Sequence, residues 1–201
     1  MTTKINLFLD TNLLVDYLIL SNIKGRRKKE LKDRYKISFQ LVKNIIKNKN
    51  KRLSFITSSL SRAEIYRCLL NEYLCDLMYK KGVPVSCWEH EKWKEKIGED
   101  SIKEIMKTIE LFTDKYICFE GEEIKDKKIL SVLDTYKPDI FIELIMKYKQ
   151  KTHDSIILAT AIEKKCKYII TRDNRLKNEL KNKEYKKITL ISPEKAIEII
   201  N

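Results

Sequence analysis

A chain of 201 residues with 43% hydrophobic side chains carries enough apolar material for one sizeable core, so wholesale disorder and reliance on a disulfide or metal staple are both disfavoured. Four glycines and three prolines argue against collagen-like, linker-rich or many-turned all-β architectures. Five cysteines without a C-x-x-C pair, and only two histidines, disfavour a disulfide framework, a zinc ribbon or a His-rich metal site.

The charge is 42 basic against 29 acidic side chains, net +13. Such a surplus suits a polyanion such as nucleic acid. Lys, Ile and Asn abound throughout, however, and an overall compositional bias explains the charge equally well. The opening Met-Thr-Thr-Lys-Ile-Asn lacks an apolar signal segment and a cleavage site. No apolar run nears the roughly 18 residues of a membrane span. A cytoplasmic protein with no membrane partner is therefore expected.

In chain order, Ile5–Leu9 reads as a short buried strand, and Leu13–Leu20 as a helix with Leu13, Leu14, Tyr17 and Leu18 at helical spacing. Lys24–Lys36 (KGRRKKELKDRYK) has eight basic residues among thirteen and reads as a charged loop. Phe39, Val42, Ile45 and Ile46 mark a second amphipathic helix. Arg52–Thr57 predicts a strand, and Ser58 or Ser59 can cap a helix from Leu60 towards Lys80, stopped by Gly82-Val-Pro84. Residues 85–115 are polar and helical in pattern. Tyr116–Phe119 predicts a strand, and 121–150 two helices broken near Lys137-Pro138. Thr152 can cap a helix through Lys164. Tyr168–Thr171 predicts a strand, Asn174–Leu180 a short helix, Ile188–Ile191 a strand and Pro193–Ile200 a last helix with Pro in its first turn.

Strands alternating with helices imply a parallel sheet covered on both faces. The expectation is a single α/β domain over 1–201, with 85–150 a helical elaboration. Within it, Trp88 and Trp93 either anchor the insertion to the core or offer stacking platforms to bases.

Four carboxylates fall at informative places. Asp10 ends the first strand in LFLDTN, at the edge where parallel sheets gather functional groups. Asp173 lies just past the strand YIIT, at the same edge. Asp154 sits in the first turn of THDSIILATAI. Glu64, in LSRAEIYRC, shares a helix face with Leu60 and Cys68, and an inward carboxylate there needs a partner or a metal. Each has an ordinary alternative. Asp10 and Asp173 suit turns and caps, Asp154 complements a helix dipole, and Glu64 can pair with Arg67. Together they suggest one pocket, in which the carboxylates raise each other's pKa and a divalent cation relieves the repulsion. All-oxygen donors favour Mg²⁺ or Mn²⁺ over zinc.

The segments FLDTNLLVDYL at 8–18, SSLSRAEI at 58–65 and HDSIILATAIEKKCKYIITRDN at 153–174 resemble the PIN domain. The order Asp, Glu, Asp, Asp is similar to that family's acidic quartet. The resemblance implies a three-layer α/β/α fold on a five-stranded parallel sheet and metal-dependent ribonuclease chemistry. It implies Asp10, Glu64, Asp154 and Asp173 as catalytic metal ligands, with Asn12 and Thr171 as supporting polar groups. It also points to VapC-like toxins, and so to an antitoxin and a homodimer as partners. The chain departs from that pattern in its greater length, in the long stretch before Asp154 and in residues 85–115.

The expected activity is hydrolysis of RNA phosphodiesters. An anionic pocket cannot attract RNA, so cations beside it must. Arg26, Arg27, Lys28 and Lys29 of the basic run are the first such grip, with a solvated loop as the alternative. Arg172 and Arg175 are the second; for Arg172 the alternative is a salt bridge to Glu64 or Asp154. Competing functions are a non-catalytic nucleic-acid-binding or regulatory module, a structure-specific DNA nuclease, and a phosphoacceptor domain, the last disfavoured because an acid, Asp173, follows the late strand where a Lys is wanted.

Overall fold

The computed structural model describes residues 4–22, 27–50, 52–88, 98–122, 127–134, 137–180 and 188–200, with side chains described outside 22–34 and 179–180. Short runs rich in Ile, Leu, Val and Phe form the strands, because branched and aromatic side chains fill both faces of a buried pleated ladder. The chain runs β1 (Ile5–Leu9), α1 (Thr11–Asn22), α2 (Arg27–Lys47), β2 (Leu53–Ser58) and α3 (Ser59–Lys80). A 3₁₀ turn at Val85–Cys87 precedes α4 (Glu99–Tyr116), β3 (Ile117–Phe119) and β4 (Ile129–Val132). Then come α5 (Pro138–Met146), α6 (Thr152–Glu163), β5 (Tyr168–Ile170), α7 (Asn174–Leu180), β6 (Thr189–Ile191) and α8 (Pro193–Ile200).

The six strands form one sheet in the order β3-β4-β2-β1-β5-β6, and every pairing is parallel. Side chains alternate between two cores. Leu7 and Leu9 of β1, Phe55 of β2 and Ile170 of β5 face α1, α2, α3, α4 and α8. Phe8, Ile56, Val132 and Ile169 face α5, α6 and α7. The architecture is a three-layer α/β/α sandwich. Among the described residues, no helix is long and apolar enough to cross a membrane.

Four differences from the sequence reading have physical causes. The sheet has six strands rather than five, because Ile129–Val132 (ILSV) is a strand and not part of a helix. Residues 85–150 accordingly carry two strands rather than the expected one among their helices, and β4, with β3, extends the sheet beyond β2. Residues Arg27–Lys36 are not a loop but the first half of α2, as Lys, Arg, Glu and Leu are all strong helix formers. Thr152 is the first residue of α6 rather than its cap; Lys151 holds the cap position without a side-chain hydrogen bond.

Other details match the sequence closely. Ser58 caps α3, its hydroxyl accepting from the Ser61 N–H at 3.1 Å. Trp88 packs on the far end of α3 against Leu74 and Met78 and donates its Nε1–H to the Val83 carbonyl at 2.9 Å, so it serves as an anchor. Trp93 lies outside the described residues.

Candidate functional site

The chain leaves β1 in one direction along the sheet to build β2, β4 and β3, and in the other to build β5 and β6. The carboxyl ends of β1 and β5 therefore flank a topological switch point, where a crevice opens in doubly wound sheets. Asp10 is the first residue beyond β1, and Thr171, Arg172 and Asp173 follow β5. The Asp10 N–H donates to the Ile170 carbonyl at 3.1 Å, extending the β1–β5 ladder by one bond and bringing the two loops together.

Thr171 is fully buried where these two loops meet. Its hydroxyl donates to Asp10 Oδ2 at 2.5 Å and accepts from Asn12 Nδ2 at 3.1 Å and from the Asp173 N–H at 3.0 Å. Its one donor and both lone pairs are thus used. Asn12 Nδ2 also donates to Asp10 Oδ2 at 2.6 Å, and its Oδ1 accepts from the Arg172 N–H at 3.3 Å. Asn12 and Thr171, named from the sequence beside Asp10, both hydrogen-bond to it.

The other acids surround this centre. Glu64, on α3, accepts from the Thr11 hydroxyl at 2.6 Å and lies 3.2 Å from His153 Nδ1; no contact to Arg67 takes that place. Asp154, in the first turn of α6, receives Arg175 Nη2 at 2.7 Å. The same Nη2 is 3.8 Å from Asp173 Oδ2, so one guanidinium spans both acids. Asp173 also caps α7, its Oδ1 accepting from the Leu176 N–H at 3.1 Å. The alternative reading of Asp173 as a cap and the reading as a site residue are therefore compatible, because its two oxygens do different work.

Asp10 carries the electrostatic signature of the crevice. It keeps only a little contact with solvent, and its surroundings are almost wholly protein. Burial, followed by repulsion from Glu64 and then Asp154, pushes its pKa up to about 6, against the hydrogen bonds from Thr171 and the Thr11 N–H. The donor set is hard oxygen, and its negative field is not fully neutralised from within, which suits a divalent cation of the Mg²⁺ or Mn²⁺ kind. Among the described residues, no three carboxylate, imidazole or thiol groups are drawn close enough to make a metal centre as they stand. Glu64 is turned to Thr11 and His153, and Asp154 to Arg175, so both would have to swing inwards.

The cationic grips fall differently from expectation. Arg172 bonds to neither Glu64 nor Asp154; it pairs with Asp16 on α1 and covers the ring of Tyr35 on α2. Its side chain stays 34% exposed while held by these two partners. Arg175 does lie in the crevice, held by two of its acids. Arg26 lies outside the described residues, as do the side chains of Arg27, Lys28 and Lys29, whose backbone opens α2. Asp16 and His153 were missed from the sequence. For Asp16 a signal existed, since one acid inside the otherwise apolar helix TNLLVDYLIL must find a partner once buried.

No family model matches the sequence. The curated proteins contain no match to it.

Proposed function

We propose that this protein is a metal-dependent endoribonuclease of the PIN type, acting through Asp10, Glu64, Asp154 and Asp173. The observation that carries the reading is the placement of Asp10 at a sheet switch point, held by Thr171 and Asn12, with burial first and then repulsion from Glu64 and Asp154 raising its pKa. Functional carboxylates are often perturbed in this way where charge is to be handled.

Asp10, Glu64, Asp154 and Asp173 would hold the Mg²⁺ or Mn²⁺. When bound, it supplies Lewis acidity that activates water and offsets charge on the phosphoryl oxygens. The protein's own groups prepare the ground. Thr171 and Asn12 fix the direction of Asp10 Oδ2, and the Thr171 hydroxyl sets the backbone of Asp173. Arg175, once released from Asp154, can place its planar fork on a phosphate of the bound strand. The basic half of α2 would supply further, sequence-independent attraction. A role as the toxin of a toxin–antitoxin pair in the cytoplasm, with an antitoxin and a second copy as partners, is part of this proposal.

A second reading has its own observation. Arg175 already neutralises part of the acidic cluster, as a non-catalytic nucleic-acid-binding module would require. One assay separates the two. Labelled single-stranded RNA and DNA are incubated with the protein in Mg²⁺, in Mn²⁺ and in EDTA. Cleavage of RNA that stops in EDTA is expected. Undiminished cleavage in EDTA refutes the metal chemistry, binding without cleavage supports the module, and preferential cutting of DNA transfers the activity to that substrate.

A further inference from the structure

We propose that Asp16, Arg172 and Tyr35 form a clamp that positions the Thr171–Asp173 loop against Asp10. They would thus be positioning residues for the acidic site, a statement that rests on the function proposed above. Asp16 lies on α1 with 1% of its side chain exposed. Arg172 meets it with both faces of its fork: Nη2 donates to Oδ1 at 3.0 Å, and Nε lies 2.9 Å from Oδ2 in an ion-pair contact without a well-aimed hydrogen bond. The Arg172 guanidinium carbon sits 4.7 Å from the centroid of the Tyr35 ring, itself 5% exposed on α2. Arginine can make both contacts at once because its charge is planar and delocalised; lysine cannot.

The place of this pair in the chain gives it its consequence. Arg172 stands between Thr171, which holds Asp10, and Asp173, whose N–H is bonded back to Thr171. Its own N–H is bonded to Asn12. With the side chain drawn towards α1 and α2, the three-residue loop is tied to Asp10, Asn12, Asp16 and Tyr35. A buried ion pair is weak evidence for stability as such, since well-packed apolar residues often replace one without loss. Its one directed hydrogen bond, backed by the ion-pair contact and the Tyr35 ring, is better suited to fixing where a loop lies, as partners behind metal-binding groups do elsewhere.

The test uses the intact chain and Mn²⁺ as the probe. Mn²⁺ affinity is measured by electron paramagnetic resonance, and RNA cleavage gives kcat and KM. The double variant Asp16→Leu/Arg172→Met removes both charges together, so it leaves no buried ion unpaired. It is expected to weaken Mn²⁺ binding about tenfold and to lower kcat about 10- to 100-fold, with KM for RNA little changed. Arg172→Lys keeps the charge beside Asp16 and so keeps the fold even where the double variant does not. It is expected to recover part of both losses.

Wild-type Mn²⁺ affinity and kcat in folded Arg172→Lys and in the folded double variant would overturn the clamp. A rise in KM alone would make Arg172 an RNA contact instead and also overturn it. The two layers of argument separate through Asp10→Asn. If that variant loses Mn²⁺ while the clamp variants bind it normally, only the clamp is wrong. If the wild-type protein binds no Mn²⁺, the site and the clamp fall together.

Discussion

Asp10→Asn should make the metal-free protein more stable while removing its activity. Raising a carboxyl pKa from 3.8 to about 6 costs the ionised fold about 3 kcal/mol at neutral pH, at about 1.36 kcal/mol per pH unit. The asparagine has the shape of the neutral acid, and its Oδ1 can accept the hydrogen bonds that Thr171 and Asn12 now give to Asp10 Oδ2. Some screening reaches Asp10 at the open side of the crevice, so about 2 kcal/mol is a fair expectation. For a chain of this size that raises the melting temperature by about 4–8 °C.

The pH dependence has a definite sign. The folded pKa lies above the unfolded one, so the stabilisation from protonated Asp10 is full below pH 3.8 and is lost as pH rises through about 6. The wild-type protein loses this contribution across that window and the variant does not. Their melting temperatures in EDTA should nearly coincide at pH 4 and stand apart at pH 7. Adding Mg²⁺ should then reverse the order at neutral pH, because a ligand bound only by the folded wild-type protein stabilises it by mass action. Differential scanning fluorimetry across pH, with and without Mg²⁺, reads all of this. A variant no more stable than wild type at pH 7 in EDTA would refute the repulsive crevice, and wild-type cleavage by the variant would refute the role of Asp10.

Arg175→Gln removes the guanidinium that spans Asp154 and Asp173, so Mn²⁺ affinity should rise a few-fold while RNA cleavage falls; calorimetric titration beside a cleavage assay checks the opposed signs. Neutralising Arg26, Arg27, Lys28 and Lys29 should make the slope of log K against log salt shallower by about two, if about three phosphates are contacted at about 0.7 each, and weaken all RNA sequences alike. That salt titration is done with Asp10→Asn to prevent cutting, and an unchanged slope would make the basic start of α2 a solvated face. Asp134→Ala removes the acceptor of the Leu60 N–H and the Ser59 hydroxyl at the start of α3, and should cost about 1 kcal/mol in urea unfolding. Phe8→Ala opens a hole in a fully buried position between β1 and α6, and should cost about 3–5 kcal/mol by the same measurement.

Much of this architecture was readable before any coordinates. The runs INLFL, YII and PEKAIEII are short, strongly patterned and bounded by turn or capping residues, and each became the element expected. The strand ILSV was not legible. Four residues buried on both faces show no alternation, and a run that short cannot be told from a piece of buried helix. The basic run failed for the opposite reason: its charge suggested a loop, while its lysines, arginines and leucine favour helix. At the site, Asp10, Asn12 and Thr171 could be placed because a strand end fixes its neighbour within a residue or two. The pairing of Arg172 with Asp16 could not, because it is made by packing between α1 and α2, which no local pattern records.

The order of the strands bears on how the molecule comes into being. Asp10 and Thr171 are 161 positions apart, and the bond between them depends on β5 settling beside β1 after the other flank of the sheet has been laid down. During synthesis, Asp10 leaves the ribosome long before its partner is translated, and at about 5–20 residues per second the interval lasts roughly 10–30 s. A nascent chain holding only the first four strands has Asp10 and Glu64 but neither Asp154 nor Asp173. The set of four acids is therefore completed late, and under the function proposed above a ribosome-bound fragment would be inert towards RNA in its own neighbourhood. Pairings this remote are also slow to close, so refolding from urea should take milliseconds to seconds rather than microseconds.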